Sequence, residues 1–382
     1  MRKPRVIWMV GVIASLVLAG CGGAAGGGQT SGASSGGNQA PGGIVQINGA
    51  GSTFQLPVES QWIGAYQKVD SSVTINYQGI GSGGGKSAIL DGTVDFAGTD
   101  SLLTDAQYQQ GGDLQMIPVL AGAVVPIYNI QGIGANDPPL VLDGSTLAGI
   151  YAATITKWND PAITALNPDL ASKLPDASIT AVHRSDGSGT TEIVTDALSS
   201  FSQSWADNVG AGPSVEWPVD KAGSGIGGKG NQGVAAAVQN TPNSIGYVEL
   251  SFAVSNNIAF AKMKNAAGNV VTADADTLQS AMNDFAGSFS DKLTTTIVNG
   301  KGAQSWPISG YTYVIIRMNS MKDCTKATAL LQYLQWVVTS PEAAKIAADL
   351  GYAGLPQSVQ QQALAKLGEA TCGGQPILKS SQ

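Results

Sequence analysis

Thr180-Ala181-Val182-His183-Arg184-Ser185-Asp186-Gly187-Ser188-Gly189-Thr190-Thr191 is the stretch on which the reading of this chain turns. Ile179 to Val182 alternates as a short strand, and Ile193, Val194, Ala197 and Leu198 fall on one face of a helix that follows. The loop between them carries a cation (Arg184), an anion (Asp186), the hydroxyls of Ser188 and Thr190, and Gly187 and Gly189. The first turn of a helix leaves N–H groups unpaired at the positive end of its dipole, so it attracts anions. Glycine lets backbone approach a ligand closely, and Arg184 adds a planar, permanently charged fork suited to oxyanions. Asp186 is out of place in such a loop, and that makes it informative.

The same unit recurs outward from this loop. A strand over Ile44–Ile47 leads through Gly49-Ala50-Gly51-Ser52-Thr53-Phe54 to a helix with Pro57 at its start and Val58, Trp62, Ala65, Tyr66 and Val69 at helical spacing. A strand over Val73–Tyr77 leads through Gly79-Ile80-Gly81-Ser82-Gly83-Gly84-Gly85 to a short helix expected near Lys86. A third strand, Val94–Ala97, ends at Gly98-Thr99-Asp100-Ser101. Alternating strands and helices imply an α/β architecture with mostly parallel sheets. Ligands in such folds sit beyond the carboxyl ends of the strands, where loops at Thr53, Ser82 and Ser188 can converge. Met116 to Tyr128, with Pro118 and Pro126, reads as buried strand and a crossover between domains. Ile245–Glu249 and Tyr311–Arg317 read as strands, and Val234–Val238, Lys326–Val338 and Pro341–Leu350 as helices; no repeat of fixed period is found.

The 382 residues suffice for two domains with sizeable cores. Arg2, Lys3 and Arg5 precede an apolar run, Val6–Leu18, too short for an ordinary membrane span. Leu18-Ala19-Gly20-Cys21 then resembles the bacterial lipobox, in which cleavage precedes the cysteine and its thiol carries the lipid. Residues 1–20 are thus expected to be a signal peptide, and Cys21 a lipidated anchor. Residues 22–43 are almost all Gly, Ala, Ser, Gln and Asn, which cannot bury a core and make a tether. Its root-mean-square reach is on the order of 25 Å. Cys324 and Cys372 remain, and an even pair in an exported chain favours a disulfide over a metal site or two free thiols. It would contribute about 4 kcal/mol by loop-closure entropy. Loss of the signal segment takes the formal charge from −7 to about −10, which argues against nucleic acid as a partner. Any anion site must therefore work through local dipoles and one or two placed cations.

Other motifs carry less. Gly81–Ser87 departs from the phosphate-loop pattern, which needs glycine at position 80, where Ile80 stands. It reads as a flexible turn or as an anion-contacting helix start at which Ser82 offers hydroxyl and N–H. Ser188 lacks the Gly-x-Ser-x-Gly elbow, and His183, the single histidine, is expected on the opposite face of its strand from Arg184. No His, Cys and carboxylate cluster has metal-ligand spacing. Lys229 is a second cation or a solvated turn lysine. Asp100 and Asp186 admit a plain reading as caps, and Asp186 can pair with Arg184 and hold it. The sharper reading is that a carboxylate in an anion site repels a fully ionised ligand but accepts a hydrogen bond from a protonated one. Phosphate near neutral pH still carries protons and sulfate does not.

Gly49–Phe54, Tyr77–Ser82, Val94–Asp100, Lys157–Asp160, Arg184–Thr190, Gly227–Asn231 and Ser244–Glu249 together resemble the phosphate-binding proteins of bacterial phosphate ABC importers, in order from about Ile44 to Pro356. The resemblance implies a type II two-domain periplasmic-binding-protein fold, each domain a mostly parallel sheet flanked by helices, with phosphate in the cleft. Domain one would combine 44–120 with 307–378, and domain two would span 121–306. Ligand contacts carry over onto Thr53, Phe54 through its N–H, Ser82, Asp100, Arg184, Asp186, Ser188, Gly189 through its backbone, and Thr190. Asp186 matches the acceptor for a phosphate proton. Many relatives have a second serine where Gly83 stands, and the long tether and the cysteine pair are not general features. The implied protein is a monomeric, non-enzymatic lipoprotein outside the cytoplasm that serves a membrane permease, with no cofactor and no metal. A secreted phosphatase, or a binding protein for another oxyanion, is the alternative.

Overall fold

The computed structural model describes residues 43–134 and 136–378. The expected signal peptide, Cys21 and the tether up to residue 42 lie outside the described residues. The chain opens with β1 (Val45–Gly51), α1 (Leu56–Val69), β2 (Val73–Gly79), α2 (Ser82–Leu90), β3 (Phe96–Thr99), α3 (Asp105–Gly111) and β4 (Leu114–Asn129). It continues through β5 (Val141–Asp143), α4 (Gly144–Tyr151), α5 (Pro161–Leu166), β6 (Thr180–Arg184), α6 (Gly189–Phe201), α7 (Gln203–Asn208) and α8 (Pro218–Lys221). Next come β7 (Gly225–Gly228), α9 (Gly230–Asn240), β8 (Ser244–Glu249), α10 (Leu250–Ser255), β9 (Lys262–Lys264), β10 (Val270–Val271) and α11 (Ala275–Asp284). The last elements are β11 (Ser309–Arg317), α12 (Cys324–Thr339), α13 (Pro341–Asp349), β12 (Ala353–Gly354), α14 (Gln357–Gly368), β13 (Thr371–Cys372) and β14 (Gln375–Pro376).

The main sheet runs β2-β1-β3-β11-β4-β8-β6-β7, with β12 beside β4. β1, β2 and β3 are mutually parallel, as are β6, β7 and β8. The two parallel sets expected from the repeated strand–loop–helix unit are thus joined by antiparallel pairing at the centre. β4 makes that join: its Leu114–Ala123 portion pairs with β11, and its Val124–Asn129 portion with β8. A strand covered on both faces reads as a continuous apolar run, and β4 is buried at every position between Met116 and Tyr128. The same holds for β11 from Ser309 to Ile316. The Trp306 indole donates to Val124 O at 2.9 Å, just where β4 changes partner.

Helix α1 presents Val58, Trp62, Ala65 and Tyr66 to the core at the expected spacing, while Val69, expected on the same face, is exposed at the helix end. Each fully buried side chain of this kind contributes roughly 1.5–3 kcal/mol. Two boundaries differ from the sequence expectation for one physical reason, close backbone approach. β1 runs on through Gly49–Gly51, because these residues pair with β2 on one side and β3 on the other, with the Phe96 ring seated on Gly49. α2 starts at Ser82 rather than near Lys86, so its first turns carry Gly83, Gly84 and Gly85. A helical glycine costs about 1 kcal/mol against alanine, but a Cβ on Gly85 would lie 2.6 Å from Gly51 Cα. The third strand is also shifted, to Phe96–Thr99.

Cys324, at the start of α12, is bonded to Cys372 of β13, with Cα atoms 5.5 Å apart. The expected disulfide is present and ties the C-terminal hairpin to α12. Among the described residues, no helix is long and apolar enough to cross a membrane.

Candidate functional site

The parallel strands aim their carboxyl ends at one place. The loops after β1, β2 and β3 meet the loops after β6 and β7 there, and the N-termini of α2, α6 and α9 border it. The fit is close. Gly83 N–H donates to Gly187 O at 2.9 Å. Gly81 has φ +85°, and a Cβ there would lie 2.3 Å from Asp186 Oδ2. A Cβ on Gly189 would lie 2.6 Å from the Asp100 carbonyl carbon. Leu102 N–H reaches Glu192 Oε1 at 2.9 Å. Glycine is required at 81 and 189 because no side chain fits between these loops.

Arg184, the last residue of β6, has 1% of its side chain exposed. Its Nε donates to Asp186 Oδ1 at 2.8 Å and its Nη2 to Asp186 Oδ2 at 2.6 Å, a bidentate pair. Nη1 lies 3.4 Å from Thr190 Oγ1. Gly230 N–H also donates to Asp186 Oδ1, at 3.0 Å. Burial pushes the Asp186 carboxyl up, but the Arg184 fork and the Gly230 N–H outweigh it and hold the group below its usual range. Asp186 therefore stays ionised and anchors Arg184, as the pairing reading of the sequence allows.

Asp100 follows β3 and is fully enclosed. Its Oδ1 accepts from Ser52 Oγ at 2.5 Å and Thr312 Oγ1 at 2.9 Å, and its Oδ2 accepts from Ser82 Oγ at 3.3 Å. Burial raises its pKa to about 6; the hydroxyl donors and the more distant Arg184 charge oppose that rise.

Ser188 caps α6, its Oγ accepting from Thr191 N–H at 3.0 Å. Among the described residues, the backbone N–H groups of Phe54, Gly189 and Thr190 have no acceptor. Those of Gly189 and Thr190 are the orphan donors of a helix start. Phe54 sends its ring into the core against Tyr352, and its carbonyl accepts from Tyr352 Oη at 2.7 Å. Thr53 Oγ1 accepts from Asn231 N and Nδ2 at 3.1 and 3.0 Å. Of the nine residues expected to contact ligand, Arg184 ends β6 and the other eight lie on these loops and helix starts. They offer hydroxyls, amides and one guanidinium around two carboxylates, a donor set for a small, partly protonated oxyanion.

His183 stacks on Trp217 with ring centroids 4.9 Å apart, and its Nε2 pairs with Asp220 Oδ1 at 2.8 Å. It does not meet Ser188. Lys229 is exposed, as a solvated turn lysine should be. Among the described residues, no group of three or more His, Cys, Asp and Glu residues is placed to hold a metal ion.

Sequence reasoning missed Ser52, Thr312 and Asn231. Asn231 lies at the helix start of a fourth strand–loop–helix unit, β7 to α9, so the repeated pattern was its signal. Thr312 had none, since it lies inside a strand that reads as core. The β11–β4 register shifts between Thr312 and Tyr313, beside the hydroxyl that turns to Asp100. Ladder irregularities often re-aim a side chain next to a site in this way.

Comparisons with known proteins place the family and the fold. A family described as "PBP superfamily domain" matches residues 27–342. The phosphate-binding protein PstS of Xylella fastidiosa (strain 9a5c) is 39% identical over 318 residues, 83% of this chain and 84% of that protein. A phosphate-binding protein PstS of Methanocaldococcus jannaschii is 36% identical over 335 residues, 84% of this chain and 85% of that protein. The X-ray structure of a human phosphate binding apolipoprotein shares the fold, with a TM-score of 0.66 at 19% identity over 84% of this chain and 93% of that one. By fold and by sequence, the chain belongs to the PBP superfamily and, within it, to the family of phosphate-binding proteins PstS.

Proposed function

We propose that this protein binds inorganic phosphate outside the cytoplasm and delivers it to an ABC-type importer. The observation that carries the reading is the convergence of the glycine-bearing loops. Gly81 faces Asp186 and Gly189 faces Asp100 too closely for any side chain, and loops packed this closely suit a small ion rather than a large ligand. Thr53, Ser188 and Thr190 supply hydroxyls, Phe54, Gly189 and Ser82 (at the start of α2) supply N–H groups, and Arg184 supplies the cation. Asp186 is the acceptor for a ligand proton, and Asp100 is a second carboxylate that repels a proton-free ligand.

Residues 44–120 with 307–378 form one lobe in this reading, and 121–306 the other. Phosphate holds them closed because it touches both, and docking on the permease opens them. The chain crosses between lobes along β4, whose two ends pair with different strands. Cys21 carries the lipid, and residues 22–43 let a monomer reach from the membrane. The protein binds and releases without making or breaking a bond: the Ser188 hydroxyl caps α6, and His183 is committed to Asp220.

Calorimetry on the mature protein tests the reading. Phosphate binds at micromolar or tighter dissociation constant, and sulfate gives no measurable heat. Asp186→Asn narrows the gap between the two anions; unchanged selectivity would remove the proton-accepting role. Hydrolysis of p-nitrophenyl phosphate above the buffer rate would favour the phosphatase alternative.

A further inference from the structure

We infer that Asn231 is a positioning residue that turns the hydroxyl protons of Thr53 and Thr190 toward the bound anion. The inference deepens the oxyanion-binding reading and rests on it. Asn231, the second residue of α9, is 0% exposed. Its carbonyl Oδ1 accepts from Glu249 N–H at 3.0 Å. A backbone N–H can only donate, so this bond fixes which side of the amide is oxygen. The NH2 group must then face the other way. It meets Thr53 Oγ1 at 3.0 Å and Thr190 Oγ1 at 3.2 Å, and these two bonds use both amide protons.

A hydroxyl has two acceptor positions and one proton. Thr53 Oγ1 accepts from Asn231 Nδ2 and from Asn231 N. Thr190 Oγ1 accepts from Asn231 Nδ2 and from Arg184 Nη1. Both hydroxyls are therefore filled as acceptors, and each has only its proton left to offer. One amide, oriented by Glu249, makes a donor of a hydroxyl from the β1 loop and of another from the α6 start. The Asp100 side is arranged oppositely, because Ser52, Ser82 and Thr312 spend their protons on the carboxylate. The hydroxyl protons of Thr53 and Thr190 are thus left for the anion, and that direction is built in before ligand arrives.

A double-mutant cycle read by calorimetry tests this, with unfolding of each ligand-free variant as the fold control. Asn231→Ala weakens phosphate binding by about tenfold, the loss expected from two hydroxyls freed to rotate. Asn231→Asp places an acceptor where the donor stood, draws both protons away from the ligand, and weakens binding more than Asn231→Ala does. In a Thr53→Val, Thr190→Val background, Asn231→Ala costs about twofold or less, because the groups it acts through are gone. A full additive loss in that background overturns the inference, since Asn231 would then act as packing alone. The wild-type protein is titrated with phosphate, arsenate, sulfate and molybdate. If it takes a different anion, the proposed ligand fails and the cycle is read with that anion. If it takes none, both readings fail.

Discussion

Asp186, after β6, and Asp100, after β3, are carboxylates on converging loops and are held in different ways. Asp186 sits in the fork of Arg184 with a backbone N–H on one oxygen, and its proton affinity is pushed down. Asp100 is surrounded by neutral hydroxyls, and burial pushes its pKa to about 6. The first is a permanent charge that fixes a cation. The second lies within reach of physiological titration and is ionised only at a cost. Hydroxyl donors stabilise a buried carboxylate less than a charged partner does, so chemically identical groups acquire different roles from their neighbours alone.

The largest effect should come from breaking the charged side. Arg184→Ala removes the guanidinium and its charge-assisted contact, so phosphate affinity should fall by about 2–3 kcal/mol. Titration calorimetry measures it, and a loss below about tenfold would mean that the guanidinium makes no such contact. Next is the contact that brings the sides together. Gly189→Ala places a methyl group against the Asp100 backbone and should weaken binding by about 1–3 kcal/mol through overpacking. Wild-type affinity in that variant would show that the loops need not approach so closely.

The last effect is on the stability of the ligand-free protein rather than on affinity. A carboxyl whose folded pKa is raised contributes stability that is full below its unfolded pKa and is lost as pH rises through the folded value. Asp100 rises from 3.8 to about 6, Glu59 and Glu192 from 4.5 to about 7, and Glu249 from 4.5 to about 8, burial being the main cause in each. The melting temperature should therefore fall as the pH goes from about 5 to about 8. Asp186 is shifted the opposite way, so its contribution is lost on acidification below about pH 4. Asp100→Asn should flatten the part of the decline between about pH 4 and 6. Scanning calorimetry in phosphate-free buffer decides, and a melting temperature that climbs from pH 5 to 8 would refute the assignment.

Much of this was legible before the fold was known. Residues 180–191 marked a strand, a loop and a helix start, and the same unit recurred at Thr53 and Ser82, enough to anticipate parallel strands with loops at their carboxyl ends. The cysteine pair marked a disulfide. Boundaries at Gly49–Gly51 and Gly83–Gly85 were not legible, because glycine signals a turn unless a tertiary neighbour needs its missing side chain. Nor was the antiparallel centre, since periodicity reveals a buried strand but not its direction.

The chain's own order of residues determined which chemistry was available: one guanidinium, several hydroxyls, helix starts and carboxylates, each local to a short segment. Only the tertiary structure decided what each group became. It put Thr312 on Asp100 and Asn231 on both Thr53 and Thr190, and set Asp186 in the arms of Arg184. Proton affinity and hydrogen-bond direction depend on what surrounds a group within a few ångströms. Here those surroundings are drawn from residues as far as 212 positions away along the chain.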